Sequence, residues 1–510
     1  MSEWPTRVRS EYDDQRAGVT DRLCGLDASF LSLECKAIPL HMAGVFIFDR
    51  PLQFDSFVQR VESQLPLIPR YRQIVVPSPF NLGYPTWEDD PNFEIARHIQ
   101  RAQLDAPGGE AELEALSGRI LSEVMDRKRP LWDIRVVSGL RDGRGAMILR
   151  IHHAMADGIA GAALVLGRIL DTTRAGSYAV RKIRTPVKRQ PCHKPSVADD
   201  IASGMQSSLR HLIDAVSGAF SVGEKVLHEP KALIDAVGLL PEALGAFERL
   251  PFNSACGGDR KFCWADFDFS RAQAIRTASG GTINDVILAA LTQAIAQYVK
   301  LHGQTIVRRS IRVVCPVNLR QDSDEGMGNH LAFMPVALPL DIEDPVRMLH
   351  AVAFRTATMK RVGAADLLSV VASSFGVTPP PIQALLWRGI ANIILPVPLL
   401  NLVFTNIPAN AEPLYCVGKK LLTWYPQVPT GYELGINCAV TRYCNKLCCG
   451  LIADAHVVPD VELMRDLLKA SFEQLCTAAG VRTAKSLTVR HNDDVKRKQY
   501  AKSRNGRSAA

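Results

Sequence analysis

The feature that most constrains the fold is a segment without the sequence periodicity of a helix or a strand. It lies between two regions that each show both periodicities. Residues 172–200 are rich in Arg, Lys, Pro and Ser and have neither the two-residue alternation of strands nor the spacing of helices. Strand-like and helix-like segments are mixed on each side of it. A chain of 510 residues is also long for one compact domain. We therefore predict a mixed α/β protein of two similar-sized domains.

The predicted division has four parts: an N-terminal domain over residues 1–172, a basic linker over 173–200, a C-terminal domain over 201–482 and a basic, disordered tail over 483–510. Apolar patterns predict strands and helices in both domains. The strands are expected over residues 38–50, 131–140, 146–153, 311–317, 334–340 and 402–408, and the helices over 54–69, 110–129, 163–170 and 282–300. Thr282 and Asp285 are spaced to form a capping box at the start of the last helix.

Composition and charge limit the class of protein. With 47% hydrophobic and 22% charged residues, the chain is typical of globular proteins. No apolar run follows the N-terminus as in a secretory signal, and prolines interrupt the apolar stretch 389–404. We expect a cytoplasmic protein without a signal peptide or transmembrane helix.

The net charge of +8 is concentrated in residues 181–194 and 495–507. Such basic runs are usually solvated, although they could bind anionic lipid head groups or nucleic acid. They lack the interleaved aromatic residues that single-strand binding favours, so no nucleic-acid partner is expected.

The 12 cysteines fit the same compartment if they are reduced thiols. Cys263, Cys315 and Cys438 lie in apolar segments, where a free cysteine packs as a small hydrophobe. The cluster at 443–449, YCNKLCC, lacks the paired C-x-x-C units of a metal site. We expect no metal there.

The segment IHHAMADGIAG at residues 151–161 contains the candidate chemistry, at a predicted junction from strand to helix. Adjacent residues on a strand project to opposite faces, so His152 and His153 are poorly placed to share a metal ion. A second interpretation makes one histidine a buried core residue and the other a surface residue. A third makes His153, at a rigid strand end, a general base near pH 7.

Two residues of the same segment have alternative roles. Asp157 either supports a histidine or pairs with an arginine to brace the loop, while Gly158 would let the backbone pass close to a ligand. The chain has no G-x-S-x-G elbow, Gly-rich phosphate loop or dinucleotide fingerprint. A histidine base would then act on the hydroxyl or thiol of a substrate, in direct transfer without a covalent enzyme intermediate.

The motif HHAMADG resembles the HHxxxDG motif of the bacterial wax ester synthase/acyl-CoA:diacylglycerol acyltransferase family, one group of two-domain, CoA-dependent acyltransferases. Other segments resemble the same family, in the same order along residues 20–480. They are GLDASFLSLE (25–34), PRYRQ (69–73), TWEDDPNFEIARHI (86–99), PLW (130–132), TINDVILAA (282–290), NLR with GNH (318–330), TNIPANAEPLYCVG (405–418) and LIADAHVVPD (451–460).

The resemblance implies two acyltransferase domains around a central tunnel that admits acyl-CoA and a hydroxy lipid. It implies transfer to diacylglycerol, giving triacylglycerol, with wax ester formation from fatty alcohols as a second activity. His153 would be the general base, with His152 and Asp157 supporting it. No metal or prosthetic group is implied, because CoA enters as part of the substrate.

The resemblance also assigns roles outside the histidine segment. Asn284 would contribute to the active site, by hydrogen-bonding the developing oxyanion or by orienting the histidine. Asp285 and Trp132 would help to bind substrate, although the residues themselves equally predict a capping Asp285 and a core Trp132. The family's Gly-Pro after Asn-Val-Pro is Ala409-Asn410 here, and its Ser-Tyr-x-Gly turn is replaced by TRYCNKL (441–447). Both departures concern the choice of alcohol and chain length.

Other functions are also compatible with the sequence. One is transfer to a different alcohol or to an amine. Another is a non-catalytic lipid-binding protein with the same fold, although a binder would have no need of a base. Because both substrates are lipidic, an active enzyme would have to attach peripherally to a membrane or lipid droplet, through apolar and basic residues.

Overall fold

A computed structural model describes residues 22–23, 25–78, 83–155, 165–172, 249–305, 310–318, 331–361, 400–407 and 411–481. The predicted linker and tail lie outside these ranges. Within them the helices are α1 (Gly25–Leu33), α2 (Phe54–Gln64), α3 (Glu110–Ser122), α4 (Phe269–Ser279), α5 (Ile283–Leu301), α6 (Pro345–Arg361) and α7 (Val461–Ala478). The strands are β1 (His41–Phe48), β2 (Gln73–Val76), β3 (Thr86–Asp89), β4 (Ile99–Gln103), β5 (Trp132–Ser138), β6 (Gly145–His152), β7 (Arg260–Asp268), β8 (Ser310–Asn318), β9 (Leu331–Pro339), β10 (Leu402–Ile407), β11 (Tyr415–Cys416), β12 (Lys419–Gln427), β13 (Ile436–Tyr443) and β14 (Lys446–Asp454).

Two six-stranded sheets organise the described chain. The first has the order β11-β12-β1-β6-β5-β4 and the second β7-β14-β13-β10-β8-β9, while β2 and β3 form a separate ribbon. The described apolar residues form two core clusters: one centred on the first sheet, to which β7, β13 and β14 also contribute, and one on the second sheet. The predicted mixed α/β class is confirmed, and so are the predicted hairpin β5-β6 and the strands β8, β9 and β10.

The first sheet is not built from the N-terminal half alone. Strand β12 pairs antiparallel with β1, so that Ala43 lies opposite Gln427. On its other edge β1 pairs with β6, which is buried along its whole length. A strand buried on both faces needs a continuous apolar sequence, which the run Ala146–Leu149 supplies.

Helix α3 is shorter than its sequence pattern predicts. The amphipathic pattern extends over residues 110–129, but the helix ends at Ser122 because Glu123 takes an extended conformation, with φ −84° and ψ 128°. Arg150 on β6 donates to the carbonyl oxygens of Ile120 and Glu123. A buried guanidinium therefore satisfies carbonyl groups that a longer helix would have used internally.

Helix α3 also joins the two halves, because it packs against β7. A Cβ atom at Gly118 would lie 2.6 Å from the carbonyl oxygen of Arg260, so only glycine permits this approach. Glu114 on the same helix accepts a hydrogen bond from the Trp264 N–H and lies 3.5 Å from Arg465 Nη1 on α7. Burial raises the pKa of the Glu114 carboxyl to about 7, against the opposing effect of Arg465.

This raised pKa predicts a pH-dependent stability. The folded state holds the Glu114 proton more tightly than the unfolded state, so its contribution is present below about pH 4.5 and is lost as the pH rises towards 7. The full loss would be about 3 kcal/mol. We expect Glu114→Gln, which keeps an acceptor for Trp264, to gain about 2 kcal/mol relative to the wild type between pH 5 and pH 8. Urea unfolding at both pH values measures this gain, and an equal difference at both would contradict the prediction.

The predicted helix after the histidine motif is described only in part. Residues Val165–Ile169 form one wide helical turn, and Arg60 of α2 holds it by donating to the carbonyl oxygens of Arg168 and Ile169. In the described ranges, no helix combines the length and the apolar character that crossing a bilayer requires.

Candidate active site

The two candidate histidines lie at the end of the central strand β6. His152 is its last residue and is fully buried, whereas His153 is half-buried. The His153 N–H donates to the Leu40 carbonyl oxygen at 2.9 Å, so the backbone stays paired with the chain that leads into β1. The His153 ring stacks on Phe30 of α1, with ring centroids 4.2 Å apart and planes 21° apart. The backbone and the ring of His153 are therefore both held.

The His152 ring is engaged through both nitrogen atoms. Nδ1 accepts a hydrogen bond from the Ala154 N–H at 3.0 Å, and Nε2 lies 3.2 Å from Glu34 Oε1. Because Nδ1 is an acceptor, a single ring proton is on Nε2, which approaches the Glu34 carboxylate closely but without hydrogen-bond geometry. This geometry gives His152 a structural task and leaves His153 as the candidate base.

A third histidine, His41, lies beside this pair. It is the cross-strand partner of His152 and is completely buried. Burial, reinforced by the nearby positive charge of Arg150, lowers the pKa of His41 well below the ordinary value. His41 is therefore neutral at physiological pH and adds no charge beside His152.

Glu34 is ionised in this buried setting. Burial alone would raise its pKa, but contacts with His152, the Leu40 N–H and Arg127 lower the pKa of Glu34 to about 2. A buried carboxylate supported in this way remains charged at any working pH.

Within the described residues, no group of three or more His, Cys, Asp or Glu side chains could hold a metal ion, and the described cysteines, including the YCNKLCC cluster, carry free thiols.

Two residues of the predicted site, Asp157 and Gly158, lie outside the described residues. Their predicted roles in supporting the histidines and approaching a ligand remain predictions. Segment 389–404 is described only from residue 400, where β10 follows.

Asn284 and Asp285 lie in the first turn of α5. The predicted capping box is confirmed: the Thr282 hydroxyl accepts from the Asp285 N–H, and Asp285 Oδ2 accepts from the Thr282 N–H at 2.8 Å. Asp285 Oδ1 accepts from the Thr356 hydroxyl at 2.7 Å. Both carboxylate oxygens are thus used to fix α5 against α6, and substrate binding by Asp285 remains a prediction. The first turn presents Asn284, one residue earlier, in a half-buried position.

Trp132 lies in the core at the start of β5. Its indole N–H donates to the Tyr71 carbonyl oxygen at 2.8 Å, and its ring stacks on His98 with centroids 4.6 Å apart. It lines an apolar void of about 10 Å³, roughly the space of one water molecule, beneath α2. These contacts make Trp132 a core residue, and its contribution to a substrate pocket remains a prediction.

Sequence reasoning missed three residues of this site: Phe30, Glu34 and His41. Glu34 ends the segment GLDASFLSLE, one of the segments that resemble the family. An acid directly after an apolar helical run is a usable signal, because a buried carboxylate requires partners. The partner itself, His152, is too far along the chain for any local pattern to indicate.

Comparisons with known proteins agree with this architecture. A model described as the wax ester synthase/diacylglycerol acyltransferase catalytic domain matches residues 23–287, and one described as the WS/DGAT C-terminal domain matches residues 327–476. A probable diacylglycerol O-acyltransferase, tgs1, of Mycobacterium tuberculosis H37Rv is 28% identical over 446 residues, which cover 86% of this chain and 92% of the relative. O-acyltransferase WSD of Acinetobacter baylyi is 27% identical over 466 residues, covering 89% and 96%.

Solved structures with the same fold include two enzyme classes. A wax ester synthase/diacylglycerol acyltransferase from Marinobacter aquaeolei VT8 aligns with a TM-score of 0.61 and 22% identity, covering 90% of this chain and 100% of that one. The first condensation domain of the calcium-dependent antibiotic synthetase aligns with a TM-score of 0.57 and 13% identity, covering 91% and 97%. At these identities the likeness concerns the fold, and it confirms the predicted acyltransferase-like architecture.

Proposed function

Because the chain belongs to the wax ester synthase/diacylglycerol acyltransferase family, we propose that it transfers an acyl group from acyl-CoA to the free hydroxyl of diacylglycerol, producing triacylglycerol and CoA. The relatives named as diacylglycerol O-acyltransferases support this acceptor. A second activity, transfer to a fatty alcohol with formation of a wax ester, is supported by the matching wax ester synthase domain. In this reaction CoA enters as part of the acyl-CoA substrate and leaves as a product.

The proposed mechanism uses His153 as a general base. Its neutral imidazole takes the proton of the acceptor hydroxyl while the hydroxyl oxygen attacks the thioester carbonyl carbon. The tetrahedral intermediate collapses with cleavage of the carbon–sulfur bond, and the imidazolium returns the proton to the CoA sulfur. The observation that carries this proposal is the fixed, half-buried His153 ring beside a fully buried His152, whose Nδ1 accepts from the Ala154 N–H and whose Nε2 lies 3.2 Å from Glu34.

Asn284 is proposed to stabilise the negative charge that develops on the thioester oxygen. An amide can donate to an oxyanion, and the loss of one such donor typically costs about 10² to 10³ in kcat. We expect Asn284→Asp to lower kcat by roughly that factor, because it places a negative charge where one must develop. The same change puts an acid in the first turn of α5, which favours the helix by about 0.3 to 1 kcal/mol. Reduced turnover with an undiminished thermal midpoint is the expected pair of results, and wild-type turnover would exclude Asn284 from the mechanism.

The function is tested by the products that the purified protein makes. The protein is incubated with radiolabelled palmitoyl-CoA and either diacylglycerol or hexadecanol, and the lipid products are separated. Label in triacylglycerol or wax ester supports the proposal and identifies the preferred acceptor. If neither acceptor becomes labelled, another alcohol or an amine is the acceptor, or the protein binds lipids without catalysis.

We also propose that the protein reaches its lipidic substrates by peripheral attachment to a membrane or lipid droplet. Its net charge of +8 and the basic runs at 181–194 and 495–507 support attraction to anionic head groups. Co-flotation with anionic liposomes at low salt, and its loss at high salt, are the expected results. Failure to float with anionic liposomes at low salt would overturn this proposal.

A further inference from the structure

Residue Glu34, directly after α1, is buried more deeply than a free acid tolerates. Its side chain is 0% exposed, and a charged carboxylate without water needs several polar partners. Oε1 accepts from the Leu40 N–H at 3.1 Å and lies 3.2 Å from His152 Nε2, while Oε2 accepts from Arg127 at 3.2 Å. One carboxylate thus connects three separate segments of the chain.

Two of these connections lead to the backbone on either side of His153. The Leu40 N–H donates to Glu34, and the Leu40 carbonyl oxygen accepts from the His153 N–H at 2.9 Å. The ring of His152 faces Glu34 with Nε2, and its Nδ1 accepts from the Ala154 N–H at 3.0 Å. The N–H groups of His153 and of the residue after it are each one step from the same carboxylate.

Phe30 adds a contact to the ring of His153 from the same helix. It lies on α1, one turn before Glu34, and its ring stacks on the imidazole. An aromatic stack restrains the tilt of a ring, whereas the backbone bonds restrain the position of its Cα atom. Phe30 on α1 and Glu34 directly after it therefore restrain both the ring and the backbone of His153.

We propose that Glu34 is a positioning residue for His153: it fixes the backbone around the base through Leu40 and His152, while Phe30 fixes the plane of the imidazole. This inference rests on the proposed role of His153 as the base. It adds two residues that act on the reaction without touching a substrate. A displacement of about 1 Å in a catalytic group can cost about 10² in rate, so small changes in this network are expected to reach turnover.

The experiment compares Glu34→Gln and Glu34→Ala with the control Glu114→Gln. Glu114 is also a mostly buried glutamate that pairs with an arginine and accepts a backbone N–H, but its contacts lie in the interface of α3 with the C-terminal half. We expect Glu34→Gln to lower kcat by about 10- to 100-fold while KM for palmitoyl-CoA changes less than about threefold. Glu34→Ala should lose more, because glutamine keeps an acceptor for Leu40, and Glu114→Gln should keep kcat within about twofold.

Including His153→Ala separates the two proposals. If His153→Ala is inactive and both folded Glu34 variants turn over like the wild type, Glu34 does not position the base and only this inference is wrong. If His153→Ala is as active as the wild type, His153 is not the base and both proposals fall. A parallel rise in KM with unchanged kcat would also overturn the inference, because it would place Glu34 in binding.

Phe30→Leu covers the case in which the Glu34 variants do not fold. Phe30 is only partly buried, and leucine keeps its apolar character without a ring to stack. We expect a roughly tenfold lower kcat for Phe30→Leu, with little change in KM. Wild-type kcat in this variant would refute a positioning role for the contacts from α1.

Discussion

Replacing His153 with alanine is expected to lower kcat by about 10² to 10⁴-fold, the usual contribution of a positioned general base. The acceptor hydroxyl would then have to lose its proton to water instead of to a positioned imidazole. Stability should change little, because the ring is half-buried and does not belong to the sealed apolar core. The measurement is steady-state kinetics with palmitoyl-CoA and the preferred acceptor, together with the thermal unfolding midpoint.

A matched histidine control is available at the far end of α5. His302 is exposed and contacts Asp460, about 28 Å from the helix end that bears Asn284. His302→Ala should therefore retain wild-type turnover. If His153→Ala does so too, the base must be another group, and the geometry described for β6 would have only a structural meaning.

Loss of Arg260 is expected to have the largest effect on stability. Its guanidinium pairs with Asp454, and Nη2 donates to the carbonyl oxygens of Thr430 at 2.8 Å and Ala37 at 2.9 Å. Both members of the pair are almost completely buried, with side chains 2% and 0% exposed. Arg260→Leu leaves Asp454 charged without its partner, which typically costs about 3 to 5 kcal/mol.

A double-mutant cycle tests this explanation. Asp454→Asn removes the negative charge and keeps one acceptor oxygen, which can serve either the Gly258 N–H, a donor to Oδ2 at 2.9 Å, or the His456 N–H, a donor to Oδ1 at 3.1 Å. Combined with Arg260→Leu, it should recover a substantial part of the lost stability, because no unpaired charge remains. Fully additive losses in urea unfolding would show that Arg260 acts through its carbonyl contacts rather than through the ion pair.

Local patterns predicted the elements around the site well. The alternation over residues 131–153 indicated the hairpin β5-β6, and the opposite projection of neighbouring strand residues separated the roles of His152 and His153. The spacing of Thr282 and Asp285 indicated the cap of α5. Each of these inferences depends on residues a few positions apart, where backbone geometry fixes the relation of the side chains.

The contacts that complete the site depend on distant residues. The pairing of Glu34 with His152 brings together the end of α1 and the end of β6, which have β1 to β5 between them in the sequence, and neither segment carries a local sign of its partner. The short form of α3 has a similar cause: Arg150, on a later strand, takes the carbonyl groups at its end. Tertiary contacts of this kind override a helical pattern that is correct for the isolated segment.

The pairing of β1 with β12 has a consequence for synthesis on the ribosome. While residues 1–172 emerge, β1 can join β6, but its other edge has no partner until residues 419–427 have also been made. An open strand edge is a site for mispairing with other chains. The N-terminal half is therefore exposed to aggregation throughout most of translation, and chaperone capacity should limit its yield. In a chimera that exchanges the N-terminal halves of two relatives, β12 would have to come from the same parent as β1.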